Sequence, residues 1–184
     1  ARGIFSLAHM LRAVTNSTFD SPDEMREFIL GAIKGYRRQM GQGVVAEFVP
    51  ETYNQFISFA RSGTGSLGGK ARGLAFIGNM LEEYKLYDKW DGVRVTIPRT
   101  LVLATDHFDR FIAENGLQYI QSEDMDDADI LSEFTGSRLP DKVVEDLRVF
   151  LRNVKRPLAV RSSSKLEDSH FQPFAGIYST YMVP

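Results

Sequence analysis

The sequence predicts a layered α/β (α+β) domain behind an N-terminal helical leader. Three observations carry that reading. From about residue 70 onward, segments with helical apolar spacing alternate with short β-branched runs, which favours stacked sheet and helix over a bundle. Glycine, proline and serine punctuate those segments without forming a low-complexity linker, and no internal repeat interrupts them. The 184 residues suffice for one domain with an appendage. A chain of this size buries about 70% of its unfolded surface, so a true core is feasible.

Residues 1–62 form the expected leader. Ile4, Leu7, Ala8 and Leu11 have the spacing of one or two helical turns. "SPDEMREFILGAIKGYRRQM" then opens a clear helix. Ser21 is placed to cap it, Pro22 suits the first turn, and Glu24 completes a capping box. Phe28, Ile29 and Ile33 supply its apolar stripe, while Lys34, Arg37 and Arg38 sit near the end where the helix dipole favours cations. A further helix is expected in "PETYNQFISFARSG", with Tyr53, Phe56, Ile57 and Ala60 on one face. The glycine-rich loop at Ser62–Gly65 is the best internal boundary, which leaves residues 63–184 as the principal domain.

Within that domain a helix is expected from Ala71 to about Tyr87, with Leu74, Ile77, Leu81 and Tyr84 at helical spacing. "VRVTIPRTLVLAT" reads as a strand entering Pro98 and a strand or extended segment leaving it. Thr105 is placed to cap the helix "DHFDRFIAEN", which Gly116 ends. The acidic "SEDMDDAD" reads as a solvated helix start or loop, since nothing holds its carboxylates in a ligand geometry. Residues 140–154 form another amphipathic helix, with Val143, Val144, Leu147, Phe150 and Leu151 facing inward. "RPLAV" reads as a short buried strand running into "RSSSKLEDSHFQPFAGIYSTYMV".

Composition excludes several classes of function. Net charge is −2, which provides no electrostatic footprint for nucleic acid or an anionic membrane. The absence of cysteine removes disulfides, thiolate metal sites and cysteine nucleophiles, and fits a reducing, cytoplasmic setting. A 43% hydrophobic and 25% charged composition is that of a soluble globular protein, and no apolar run approaches the roughly 18 residues that span a bilayer. The first residues are too short and interrupted for a signal peptide. A start without methionine and a strand-like "YMVP" at the other end suggest a piece of a longer chain.

"GTGSLGGKARGLAFIGNML" raises the question of a phosphate cradle. It is not the P-loop, which needs a glycine six positions before the lysine and a hydroxyl residue after it. Thr64 and Ala71 occupy those positions. Lys70 nonetheless stands at a helix start behind Gly68 and Gly69, where backbone amides and the helix dipole would both favour an anion. Arg161 follows the strand "PLAV" and precedes Ser162, Ser163 and Ser164. A strand end is where open α/β sheets place ligands, and a guanidinium holds phosphate oxygens in a fork. An exposed lysine in a glycine turn, and an Arg161 paired with Glu167 or Asp168, are the plain alternatives. Further on, Gly176 could let a loop close over a ligand, and Thr180, four residues later, would share its face in a strand. His9, His107 and His170 read respectively as solvated, as an exposed helix residue and as a loop residue, none of them catalytic.

"LGGKARGLAFI", "VTIPRTLVLATDHFDRFIAENGL" and "PLAVRSSSKLEDSHFQPFAGIYSTYMV" together resemble the N-terminal ATP-binding region of the phosphoenolpyruvate synthase and pyruvate phosphate dikinase family. That family shows a GGKGxxL-like opening, a "VPxGFVxT" strand with an "F" helix ending in "NGL", then "VRSSAxxED", then "SFAGxxxTxLxV". All four blocks occur in order over residues 67–183. The resemblance implies the first lobe of an ATP-grasp fold. It implies that Lys70 and Arg161 bind the ATP phosphates and that Gly176 and Thr180 line the nucleotide site. Ala71 and Arg72 replace the small residues that usually follow the lysine, and Arg99 and Thr100 stand where a small residue or glycine is usual after the retained Pro98. Residues 1–62 fall outside the resemblance.

The same resemblance implies a phosphotransferase closest to phosphoenolpyruvate synthase, converting ATP, pyruvate and water to AMP, phosphoenolpyruvate and phosphate through a phosphohistidine. Mg²⁺ ligands, adenine contacts, the histidine and the pyruvate site would lie outside these residues, so no catalytic or metal-binding residue is assigned here and the stretch alone is expected to be inactive. Expected partners are ATP and, in the full-length protein, pyruvate, with a homodimer as an allowed assembly. A related dikinase acting on an antibiotic or a glucan, or a non-catalytic nucleotide-sensing module, would use the same residues.

Overall fold

In the N-terminal unit, Ala1–Gln42, helix α1 (Phe5–Arg12) packs against helix α2 (Pro22–Met40). The computed structural model describes residues 5–12, 14, 18–40, 45–54, 56–163 and 178–184. Ile4, Ser164, Glu167, Asp168, His170 and Gly176 therefore lie outside the described residues. The expected cap of α2 forms: Ser21 Oγ accepts from Glu24 N at 3.2 Å. The Glu24 carboxylate reaches back one residue further than a standard capping box and accepts from Asp20 N at 2.9 Å. Phe19 and Phe28, with ring centroids 5.4 Å apart, pin the chain's entry into the helix.

The second unit, Gly43–Pro184, is a mixed helix and sheet structure. Strands β1 (Ala46–Glu47), β2 (Phe59–Ser62) and β3 (Thr100–Leu103) form a parallel sheet in the order β1-β2-β3. Parallel neighbours need a crossover, and helix α3 (Gly69–Glu83) supplies it between β2 and β3. Residues alternate faces along a strand, and here both faces are apolar. Phe59 and Val102 turn to one side with Ala71, Leu74 and Leu81 of α3, together with Tyr87 and Ile97. Ala60 and Leu101, paired in register, turn to the other side with Phe48, Tyr53 and Phe150.

Phe150 belongs to helix α6 (Asp141–Asn153), so the sheet is sandwiched between α3 and α6. Helix α4 (Thr105–Glu114) leaves β3 directly and ends at Gly116, whose φ of 65° needs glycine. Phe108 and Phe111 of α4 stack on Phe134 of helix α5 (Asp127–Gly136), and a 3-10 turn, Leu117–Gln121, joins the two. The acidic run does start a helix, since Asp126 caps α5 by accepting from Asp129 N at 2.8 Å. Strands β4 (Leu158–Arg161) and β5 (Thr180–Val183) pair antiparallel as a separate two-stranded sheet.

Four expectations are corrected. The "PETYNQFISFARSG" helix is absent. Turns at Val49–Tyr53 and an Asn54 side chain accepting from Phe56 N at 3.0 Å break it, and β2 follows. A short apolar run in a doubly covered strand has the same composition as a buried helix turn, so spacing alone misassigned it. No regular strand enters Pro98: Val95 bonds to Tyr87 and β3 begins only at Thr100. "RPLAV" forms a strand but not a buried one, with only Leu158 packed against the Phe150 cluster and Val160 54% exposed. On the helices the inward stripe is rotated: Ile77, Tyr84 and Leu151 are exposed, while Ala71, Gly78 and Asp146 are buried.

A glycine loop, a lysine and a strand end

The loop between β2 and α3 is anchored to the start of α4. Thr64 N and Gly65 N donate to the two oxygens of Asp106 at 3.0 and 2.9 Å. Ser66 N donates to Thr105 Oγ1 at 3.0 Å, and Thr105 N returns a bond to Ser66 O at 3.2 Å. Thr105 thus ties the loop and does not cap α4, whose N-cap position is Ala104. The glycines answer to this docking. Gly63 has φ +88°, and a Cβ there would lie 2.5 Å from the Asp106 carboxylate; at Gly65 it would lie 2.6 Å from Asp106 N. Partial burial works against charge on Asp106, but the Thr64 and Gly65 amides, helped by His107, prevail and hold its carboxyl below the usual carboxylate range.

Past the loop, α3 opens without a cap of its own, because Gly68 has no side chain. Ser163 serves instead, accepting from Lys70 N at 3.3 Å. Its approach needs the glycine, since a Cβ on Gly68 would lie 1.9 Å from Ser163 Oγ. The Lys70 side chain turns the same way and donates from Nζ to Ser162 O at 3.0 Å. That carbonyl is neutral, so the bond serves to fix where the ammonium sits. The segment that follows Arg161 is therefore stitched to the start of α3 by two bonds from one lysine.

Arg161, at the end of β4, is exposed. It pairs in register with Thr180. Directly opposed residues of an antiparallel pair share a face, with Cβ atoms about 4.5–5.5 Å apart. Lys70, Arg161 and Thr180, separated by up to 110 positions in the chain, thus converge on one end of the β4–β5 ribbon. Gly176 lies outside the described residues. A shallow pocket lined by Glu114, Asn115, Arg138, Leu139 and Asp141 involves none of them.

Sequence reasoning missed a buried polar cluster beneath the loop. Ser62 Oγ lies 2.7 Å from His107 Nε2 and donates to Asp146 Oδ2 at 2.5 Å, and Asp146 Oδ1 accepts from Lys142 Nζ at 2.7 Å. His107, expected to be exposed, is 7% exposed, and Asp146 is fully buried. Ser62 gives its single proton to Asp146, which leaves Ser62 Oγ to accept from His107 Nε2–H. This is not a nucleophile–base pair, because the hydroxyl's proton is committed to the carboxylate. The available signal was register: Asp146 sits between Val143 and Phe150 on the α6 stripe, and His107 one turn before Phe111 on α4. His9 is exposed, as expected, and His170 lies outside the described residues.

A family model described as pyruvate phosphate dikinase, AMP/ATP-binding domain, matches residues 64–183. The chain belongs to that family. No curated protein and no solved structure gave a match. The dikinase-family match opens at Thr64 inside the glycine loop and closes at the last residue of β5, so it contains Lys70, Arg161 and Thr180. It begins after β1 and β2, although both pair into the sheet of this ATP-binding domain. Among the described residues no group of three or more His, Asp or Glu is arranged to hold a metal ion. No described helix is long and apolar enough to cross a membrane.

Proposed function

We propose that this domain grips the phosphates of ATP with Lys70 and Arg161, as the first lobe of an ATP-grasp-type site in a phosphoenolpyruvate synthase-like dikinase. In this reading residues 63–184 carry the nucleotide contacts and residues 1–62 make none, although β1 and β2 within them complete the sheet. The single observation that carries the proposal is the 3.0 Å bond from Lys70 Nζ to Ser162 O, which sets an ammonium beside the strand end that bears Arg161. Thr180 stands across from that arginine and Gly176 on the segment leading to it. An ammonium, a guanidinium and a hydroxyl at one ribbon end match the oxygens of a polyphosphate in charge and in donor geometry.

The work of such a lobe is electrostatic. Phosphoryl transfer asks mainly for positioning and for cations where charge develops, and both cations here are held on regular elements. The phosphorylated histidine, the Mg²⁺ ligands and the pyruvate site would be supplied from outside these residues. Each charge-assisted hydrogen bond to phosphate contributes about 1.5–3 kcal/mol, so losing either side chain weakens ATP binding at least about tenfold. In the full-length protein, Lys70→Ala and Arg161→Ala are expected to abolish ATP-dependent autophosphorylation while the melting temperature stays at the wild-type value. Wild-type turnover in either variant would refute the assignment.

A further inference from the structure

Resting on the phosphate-site reading, we infer that Asp106 is a positioning residue that divides the glycine-rich loop into a closed half and a ligand-facing half. In P-loop proteins, successive loop amides of this kind receive phosphate oxygens. Here three successive amides, Thr64, Gly65 and Ser66, already donate to the chain's own oxygens, two on the Asp106 carboxylate and one on Thr105. The Thr64 hydroxyl adds a long contact of 3.4 Å to the same carboxylate. Asp106 therefore occupies the place that an anionic ligand would take, and its negative charge repels a second anion from that half.

The glycines agree with this division. Gly63 and Gly65 are needed where Asp106, Thr105 and His107 press against the loop, so their lack of a Cβ serves α4 and not a ligand. The closed half is also held from below, because Ser62, the residue before Gly63, is locked between His107 and Asp146. What remains for the nucleotide is the half that ends at Lys70, which faces Ser162, Ser163 and the Arg161 strand end. Asp106 touches no phosphate. It holds the loop so that Lys70 begins α3 at a fixed distance from that strand end.

The test uses Asp106→Ala and Asp106→Asn in the full-length protein, with Lys70→Ala as the control. For Asp106→Ala the expected results are amide exchange at Thr64 and Gly65 at least about tenfold faster and an ATP KM raised about tenfold. Turnover at saturating ATP should stay within about twofold of wild type, a split that a general loss of fold would not produce. Asp106→Asn keeps an oxygen acceptor and should lie between the two, which covers the case in which the alanine variant does not fold. Tighter ATP binding in either variant overturns the inference, since it would mean that Asp106 plugs a working phosphate cradle. ATP-induced protection of the Thr64 and Gly65 amides in the Asp106→Asn variant alone would overturn it likewise. An unchanged KM in the Asp106 variants beside a loss of binding in Lys70→Ala sinks only this inference; wild-type affinity in Lys70→Ala sinks the phosphate site itself.

Discussion

Tyr53 shows how much a single atom can reveal. Its ring is packed between Phe48 and Phe150, at centroid distances of 4.5 and 6.0 Å, yet its hydroxyl is the buried side-chain polar atom without a partner among the described residues. Burial raises its pKa, partly offset by the nearby Arg99. A hydroxyl removed from water with nothing to bond costs stability, so Tyr53→Phe is expected to leave stability unchanged or raise it by up to about 1 kcal/mol. Thermal unfolding checks this, and a clear drop in melting temperature would show that the hydroxyl bonds something after all. At this scale the residue types of the site were legible: a lysine behind paired glycines and an arginine before serines stand out by their chemistry. Asp106, His107 and Asp146 were not, because an acid or a histidine on an amphipathic helix looks the same whether it faces water or a buried partner.

The cap of α2 was read from local chemistry, the cap expected at Thr105 was not borne out, and elements defined by a neighbour were missed. Helix α2 has its cap written in Ser21 and Glu24, whereas Asp126 showed itself as the cap of α5 only in the structure. β2 has no such mark, because a central strand is specified by what pairs with it on either side. Helix α3 ends in a way that spacing could not show. Leu86 N bonds back to Leu81 O, and Lys85 takes a φ of 51°, the left-handed conformation that glycine adopts without strain. The Lys85 side chain is exposed. Lys85→Gly relieves the backbone strain at some cost in unfolded-state entropy, so a net gain of roughly 0.5 kcal/mol is expected, a rise of about 1–2 °C in melting temperature. A fall would mean that the lysine stem holds the turn.

At the scale of the whole molecule, the β4–β5 ribbon leaves Val160, Tyr181, Met182 and Val183 between 45% and 68% exposed, and Lys70 and Arg161 meet at one end of it with no facing wall among the described residues. A triphosphate held from one side only keeps much of its water and gains little from each contact. Calorimetry on residues 1–184 alone is therefore expected to show no micromolar ATP binding, and a micromolar affinity would contradict the two-walled site. The amino-acid order by itself determined the class of fold, the cap of α2, the family and the kinds of residue proposed to meet a phosphate, because propensity, capping and motif spacing are local properties of the chain. Only the tertiary structure decided that β1 and β2 join the sheet of the domain, that the first half of the glycine loop is filled by Asp106, and that Lys70 reaches the end of β4. Each of those depends on which distant segments pack together, and packing is settled by the burial of both sheet faces at once, a condition that no single stretch of sequence contains.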